Sequence, residues 1–195
     1  DTDLRNKKYG EILHSIRKEL EIAREQQKKG MLIMNPDLNE CIRRVESIDR
    51  KLWERTPQFN DFLSARIGIG TMPLAMKIQV QNQTLSIEND PLMSEPQKLH
   101  DEFSQVSDIP VCVPLFHLGT AGIIGSRSEV LKNVRALIMQ LATFHSYEEV
   151  KIILVYPKEE ADEWEWIRWL PHVWNENRQI RFLANDKETA HQLFG

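Results

Sequence analysis

The chain has 195 residues, which suits one domain of ordinary size with an appendage. Hydrophobic residues make up 41%, enough for a core, and a formal net charge of −4 gives no electrostatic case for nucleic acid over the whole chain. No run approaches the ~18 apolar residues that cross a bilayer, and the polar start Asp1–Gly10 does not read as a signal peptide.

Charge is unevenly spread. Residues 1–55 hold 13 basic and 11 acidic side chains, net +2, and the remainder holds 12 and 18, net −6. A near-neutral start and an acidic body read as two parts. The beginning lacks methionine, which reads as a piece of something longer. Cys41 and Cys112 stand far apart without metal-ligand neighbours, so they read as buried free thiols in a reducing compartment.

The first segment reads as a helix. Tyr9, Ile12, Leu13, Ile16, Leu20 and Ala23 recur at spacings of three and four, opposite Lys8, Arg17, Lys18, Glu21, Arg24 and Glu25. Lys28-Lys29-Gly30 has the composition of a helix stop. Asn35-Pro36-Asp37 starts a second helix, with Leu38, Ile42, Val45, Ile48 and Leu52 as its stripe. Together they predict a helical hairpin over residues 1–55. Arg43, Arg44, Arg50, Lys51 and Arg55 read as a solvated basic face, with contact to anionic headgroups as the alternative.

After Pro57 the period changes to two. Phe62–Ile69 and Leu74–Val80 read as strands, Gln81–Gln83 as a turn and Thr84–Glu88 as a returning strand. This makes a β-hairpin insertion in a body spanning residues 56–195. Asn89–Phe103 reads as a turn into a helix on which Leu92, Leu99 and Phe103 share a face. Ile109–Leu115 reads as a short apolar strand. Val130–Phe144 reads as a helix and Val150–Tyr156 as a strand buried on both faces. Ala161–Leu170 reads as helical, Gln179–Ala184 as a strand and Lys187–Phe194 as a helix. This alternation predicts an α/β body with a small parallel sheet, whose domain ends beyond the chain or is compact. Trp164, Trp166, Trp169 and Trp174 exceed what one small helix buries, so at least one can face a partner.

The stretch His117–Glu129 is laid out like a phosphate-binding loop. Such a loop needs glycines, a lysine on the β- and γ-phosphates, and a hydroxyl for magnesium. With Gly122 placed first, Ile123, Ile124, Gly125 and Ser126 fill the spacer. Arg127 stands at the second glycine, Ser128 at the lysine and Glu129 at the hydroxyl. Two like charges ~4 Å apart at an effective dielectric of ~20 repel by about 4 kcal/mol. Helix-end amides return only ~0.3–1 kcal/mol each. Gly122, Gly125, Ser126, Arg127 and Ser128 therefore read as a degenerate phosphate loop, with the glycines serving a strand-to-helix turn. The six histidines lack metal-ligand spacing, and no Gly-x-Ser-x-Gly elbow surrounds the serines, so neither a metal site nor a catalytic residue is expected.

These residues carry a resemblance. His117–Lys158 resembles the start of an FtsK/SpoIIIE-type motor domain, in which a strand, a Gly-x-x-Gly-Ser-Gly-Lys-Ser loop, a helix and a strand ending Asp-Pro-Lys follow at this spacing. Pro157 and Lys158 match the last two, and Tyr156 replaces the acid. Trp169–Trp174 is similar to the later Pro-His segment. Leu52–Gly70 closely resembles the segment after the membrane helices in the EssC/YukB/EccC coupling ATPases of type VII (ESX) secretion, and Asp90–Leu92 fits it as well.

The resemblance covers nearly all the chain. It implies a stalk over residues 1–55 and, over residues 56–195, a domain of unknown function with a degenerate P-loop-NTPase-like (RecA/FtsK-like) parallel sheet. It further implies a place at the cytoplasmic face of the cell membrane, in a protein whose intact motor domains use ATP and magnesium. No cofactor is expected for this part. The implied partners are other domains and copies of the same coupling ATPase and membrane components of the secretion machine. Secreted helical hairpins are compatible partners; nucleic acid is not expected. The family's later acidic strand is not seen: Asp186 lacks four preceding apolar residues and a second acid. An atypical ATPase completed by a neighbouring subunit's arginine, and a DNA-translocase fragment, are the rival readings.

Overall fold

The computed structural model describes residues 2–78 and 94–194. Chain contacts divide them into two compact units, residues 1–36 with 67–111, and residues 37–66 with 112–195. The expected boundary after residue 55 does not coincide with this division. The turn at 81–83, the strand at 84–88 and Asp90–Leu92 lie outside the described residues.

In the first unit, α1 (Thr2–Met34) runs straight through the expected stop at Gly30. A helical glycine costs only about 1 kcal/mol against alanine, and continuing the helix brings Met31 onto the core. The break comes at Pro36, which has no N–H and disfavours helical geometry in the residue before it. α3 (Glu95–Phe103) presents Leu99 and Phe103, four apart and buried, as its sequence pattern predicts. They pack with Leu20, Leu74, Val106 and Ile109, flanked by Leu13, Met31 and Ile78. Arg17 forks onto the Glu102 carboxylate at 2.6 and 2.7 Å. Arg24 lies over the Phe103 ring at 4.7 Å.

β1 (Ser64–Pro73) and β2 (Gln105–Pro114) are hydrogen-bonded neighbours. They run antiparallel. The Leu74 N–H donates to the Ser104 carbonyl beyond one end, and the Leu115 N–H to the Leu63 carbonyl beyond the other. The expected strand Ile109–Leu115 is thus part of an antiparallel ribbon, not of a parallel sheet. Residues 74–78 are not a strand: past Pro73 the chain turns to Gln27, which accepts the Ala75 N–H at 2.7 Å and donates to the Pro73 carbonyl at 3.1 Å.

In the second unit, Asp37 caps α2 (Leu38–Glu46) by accepting the Glu40 N–H at 2.9 Å. The helix stops at Ser47, and Ile48 takes a left-handed φ of 50°, so the expected stripe through Leu52 is cut short. α2 packs on α5 (Arg127–Phe144), with Cys41 buried. α1 and α2 therefore belong to different units. A hairpin-like pairing of the two would need each stripe to serve the other, and each instead serves its own unit.

The parallel sheet is a pair, β3 (Leu154–Val155) beside β4 (Leu183–Ala184), in register Leu154 to Leu183. The apolar run Val150–Tyr156 was expected to be buried on both faces. Instead it alternates: Ile152, Leu154 and Tyr156 pack on the core, while Ile153 and Val155 are about half exposed. The rest of Gln179–Ala184 makes a single antiparallel bridge, Trp174 with Arg181.

The Trp-rich connection is a short helix, α6 (Ala161–Trp164), followed by 3-10 turns. Trp164, Ile167 and Val173 are buried with Ile138 of α5, and Trp169 points outward at 80% exposure. The tryptophans thus divide between core and surface. α7 (Lys187–Phe194) follows β4 and packs against it. The result is a mixed α/β chain in which, among the described residues, parallel pairing is confined to two short strands.

Gly70 fixes the ribbon. A Cβ there would lie 2.7 Å from Cγ2 of Val111, a β-branched side chain with little rotamer freedom. Gly70→Ala is expected to lower stability by about 1–3 kcal/mol, read as a reduced urea midpoint at unchanged slope. The added change Val111→Ala should recover part of that loss.

Candidate functional site: the loop before α5 and the helix end behind it

The loop differs from a strand-to-helix turn. A short helix, α4 (Leu115–Leu118), follows β2. Gly119, at φ 64°, makes the left-handed turn that glycine tolerates. Gly122 and Gly125 have no left-handed φ. A Cβ on Gly122 would meet open space, and one on Gly125 would sit at ordinary contact, 3.7 Å from a Glu129 carboxylate oxygen. Neither position requires glycine here, so the expectation that both glycines permit the turn is corrected. Residues 116–129 are exposed throughout, and Ile124 is fully so.

Ser126 and Arg127 of the loop already have partners. Ser126 sits at the N-cap of α5, but its side chain caps no backbone N–H. Its hydroxyl donates to Glu129 at 3.0 Å and lies 3.4 Å from the Ser128 hydroxyl. Arg127 is ion-paired with Glu160, just before α6. Further along α5, Arg135 pairs with Glu163. The structure thus brings Ser126, Arg127 and Ser128 together at one helix end, with a carboxylate on each side. Two surface cavities, of about 310 and 380 Å³, are lined by other residues. Among the described residues no His/Cys/Asp/Glu group could hold a metal ion, and no helix is long and apolar enough to cross a membrane.

The opposite end of α5 is far more tightly built, and sequence reasoning missed it. A helix leaves its last four carbonyls without intrahelical partners. Here the Leu141 carbonyl accepts from the His145 N–H and the His145 ring. The Ala142 carbonyl accepts from the Trp53 indole at 3.1 Å, Thr143 from the Trp53 N–H at 3.0 Å, and Phe144 from the Arg55 N–H at 2.9 Å. The Gln140 side chain acts as a strand partner, accepting the Arg66 N–H at 2.8 Å and donating to its carbonyl at 2.9 Å.

Two of the supposedly solvated arginines are buried there, Arg44 at 2% and Arg55 at 3% exposure. Their guanidinium carbons lie 5.5 and 4.2 Å from the Phe144 ring centre. Arg44 pairs with Glu40 at 3.2 Å; Arg55 pairs with Asp61 at 3.3 Å and donates to the Ser64 carbonyl at 2.6 Å. The basic-face reading holds for Arg43, Arg50 and Lys51, which are exposed. For the other two, cation–π contact and carboxylate partners outweigh hydration. Burial lowers the Arg55 pKa, partly offset by Asp61, and raises the thiols of Cys41 and Cys112, which are both free. Burial likewise lowers the pKa values of the His145 and His172 imidazoles.

No family model matches the chain. Among curated proteins it is similar to the ESX secretion system protein EccC of Geobacillus thermodenitrificans (strain NG80-2), 30% identical over 190 residues, which is 97% of this chain and 13% of that protein. It is also 28% identical over 193 residues to the type VII secretion system protein EssC of Staphylococcus aureus (strain NCTC 8325 / PS 47), 99% of this chain and 13% of that one. The chain thus spans about an eighth of the length of these relatives. Nearly every residue of it aligns within them, from α1 through the loop to α7, and on that ground the chain is of the EssC/EccC type of type VII secretion proteins.

Proposed function

We propose that this chain is a non-catalytic scaffold and transmission segment of the membrane-anchored type VII secretion motor, linking the membrane stalk to the ATPase domains. Its place is the cytoplasmic face of the membrane, and its partners are other domains and copies of the same protein and the membrane components of the machine. One observation carries the reading: the Ser126 hydroxyl and the Arg127 guanidinium of the loop are engaged by Glu129 and Glu160 of the same chain. The order α5–β3–α6–β4–α7 supports descent from a motor-like sheet, with the phosphate loop degenerate.

Replacing Ser126, Arg127 and Ser128 together by alanine in the full-length protein should leave secretion intact. Abolished secretion, with the protein stably expressed, would count decisively against the proposal. Calorimetric titration of the chain with ATP and magnesium should show no binding up to about 1 mM, a free energy weaker than about −4 kcal/mol.

The arginine at residue 127 separates this reading from an atypical ATPase. Both it and Glu160 are partly exposed, so their pairing contributes only about 0.2–1 kcal/mol. A double-mutant cycle of Arg127→Ala with Glu160→Gln should return a stability coupling in that range. Glu160→Gln alone, which frees the guanidinium, should not create ATP hydrolysis.

A further inference from the structure

We propose that His145, a neutral imidazole held in one tautomer between Leu63 and the end of α5, is a proton-operated latch on the turn formed by residues 56–63. The geometry dictates the tautomer. A backbone N–H can only donate, so Nε2 of His145 accepts from the Leu63 N–H, at 2.9 Å. A carbonyl can only accept, so Nδ1 carries the proton and donates to the Leu141 carbonyl at 3.0 Å. Both ring nitrogens are committed, and the residue is fully buried. A second proton would turn the acceptor into a donor facing another donor.

The latched residue is under backbone constraint. Leu63 has a left-handed φ of 54°, which a branched side chain adopts only when its surroundings impose it. Phe62, beside it, meets the His145 ring edge-on at 5.2 Å. A second buried imidazole extends the device. Nε2 of His172 donates to the His145 carbonyl at 2.8 Å, while its Nδ1 is buried without a hydrogen-bond partner among the described residues. Protonating that nitrogen would bury a charge with no acceptor.

The charged groups facing the pair mostly oppose protonation. Arg55 and His172 act against a charge on His145, and Asp61 on the latched turn favours it. Lys151 acts against a charge on His172, and Tyr147 meets that ring edge-on at 6.4 Å. Nearby Arg44 pairs with Glu40 and Glu54.

The sign follows from linkage. A pKa lowered on folding gives stability that is complete above the ordinary value of about 6.5 and is lost as pH falls through the lowered value. Opening of the turn is therefore favoured by acid.

The test is amide hydrogen exchange at Leu63 in this chain, corrected for the intrinsic rate, from about pH 7.5 to 5. Protection should fall up to about tenfold per unit of pH below 6.5, one proton being taken up on opening. The Ala190 amide, bonded to the Asp186 carbonyl in the second unit, should hold its protection over the same range. In His145→Phe, Leu63 should be unprotected at pH 7.5 and insensitive to acid. Nitrogen-15 shifts of the unmodified chain provide a readout that needs no variant: at pH 7.5 they should report a bare Nε2 and a protonated Nδ1. Flat protection at Leu63 down to pH 5, or a proton on Nε2 at neutral pH, overturns the latch.

Discussion

The last four carbonyls of α5 are the point on which the second unit turns. A helix end buried without partners would leave several acceptors stranded, at about 1–3 kcal/mol each. Here every one is met, by His145 itself or by residues 53–55, which lie nearly ninety positions earlier in the chain. That closure explains several otherwise unrelated features. Trp53 takes a left-handed φ of 56° so that its N–H and its indole can reach adjacent carbonyls. Arg55 is drawn inside because its own N–H is spent on Phe144, which sets its guanidinium over that residue's ring. Asp61, Ser64 and Leu63 then follow, each held by a group already fixed at the helix end.

The burial of two arginines follows the same logic. Placing a cation inside a protein is costly unless charge and hydrogen bonds are returned to it. Glu40 and Asp61 return charge, the Ser64 carbonyl returns a hydrogen bond, and the Phe144 ring adds cation–π contact to each guanidinium. Removing any one partner leaves the others holding an incompletely compensated ion. The cluster thereby makes the placement of residues 37–66 on α5 depend on each of these partners.

Local patterns in the sequence were read well where they answer local physics. The periodic runs of α1, α3 and α5, the start of α2 near Asp37 and the helix at 187–194 all follow from spacing and capping. What was missed depends on distant partners. Arg44 and Arg55 read as solvated because nothing in residues 40–55 announces Phe144. Gly30 read as a stop because its cost is local, while the gain from Met31 is not. Val150–Tyr156 read as an interior strand because apolar content does not say how many neighbours a strand will find. At the loop, the adverse residues could be named from sequence alone, but not their carboxylate partners: Glu160 lies 33 residues from Arg127.

The two ends of α5 are held with very different strength. Its 18 residues span about 27 Å. The C-terminal end is buried, with every carbonyl met and two guanidiniums on one ring. The N-terminal end is exposed, and an ion pair of the surface kind, contributing about 0–1 kcal/mol, ties it to Glu160. A working phosphate loop requires the reverse, a preorganised N-terminus whose amides and cation are free and fixed before the ligand arrives. In this chain the fixed contacts lie at the opposite end of the helix, where they hold residues 37–66 on α5.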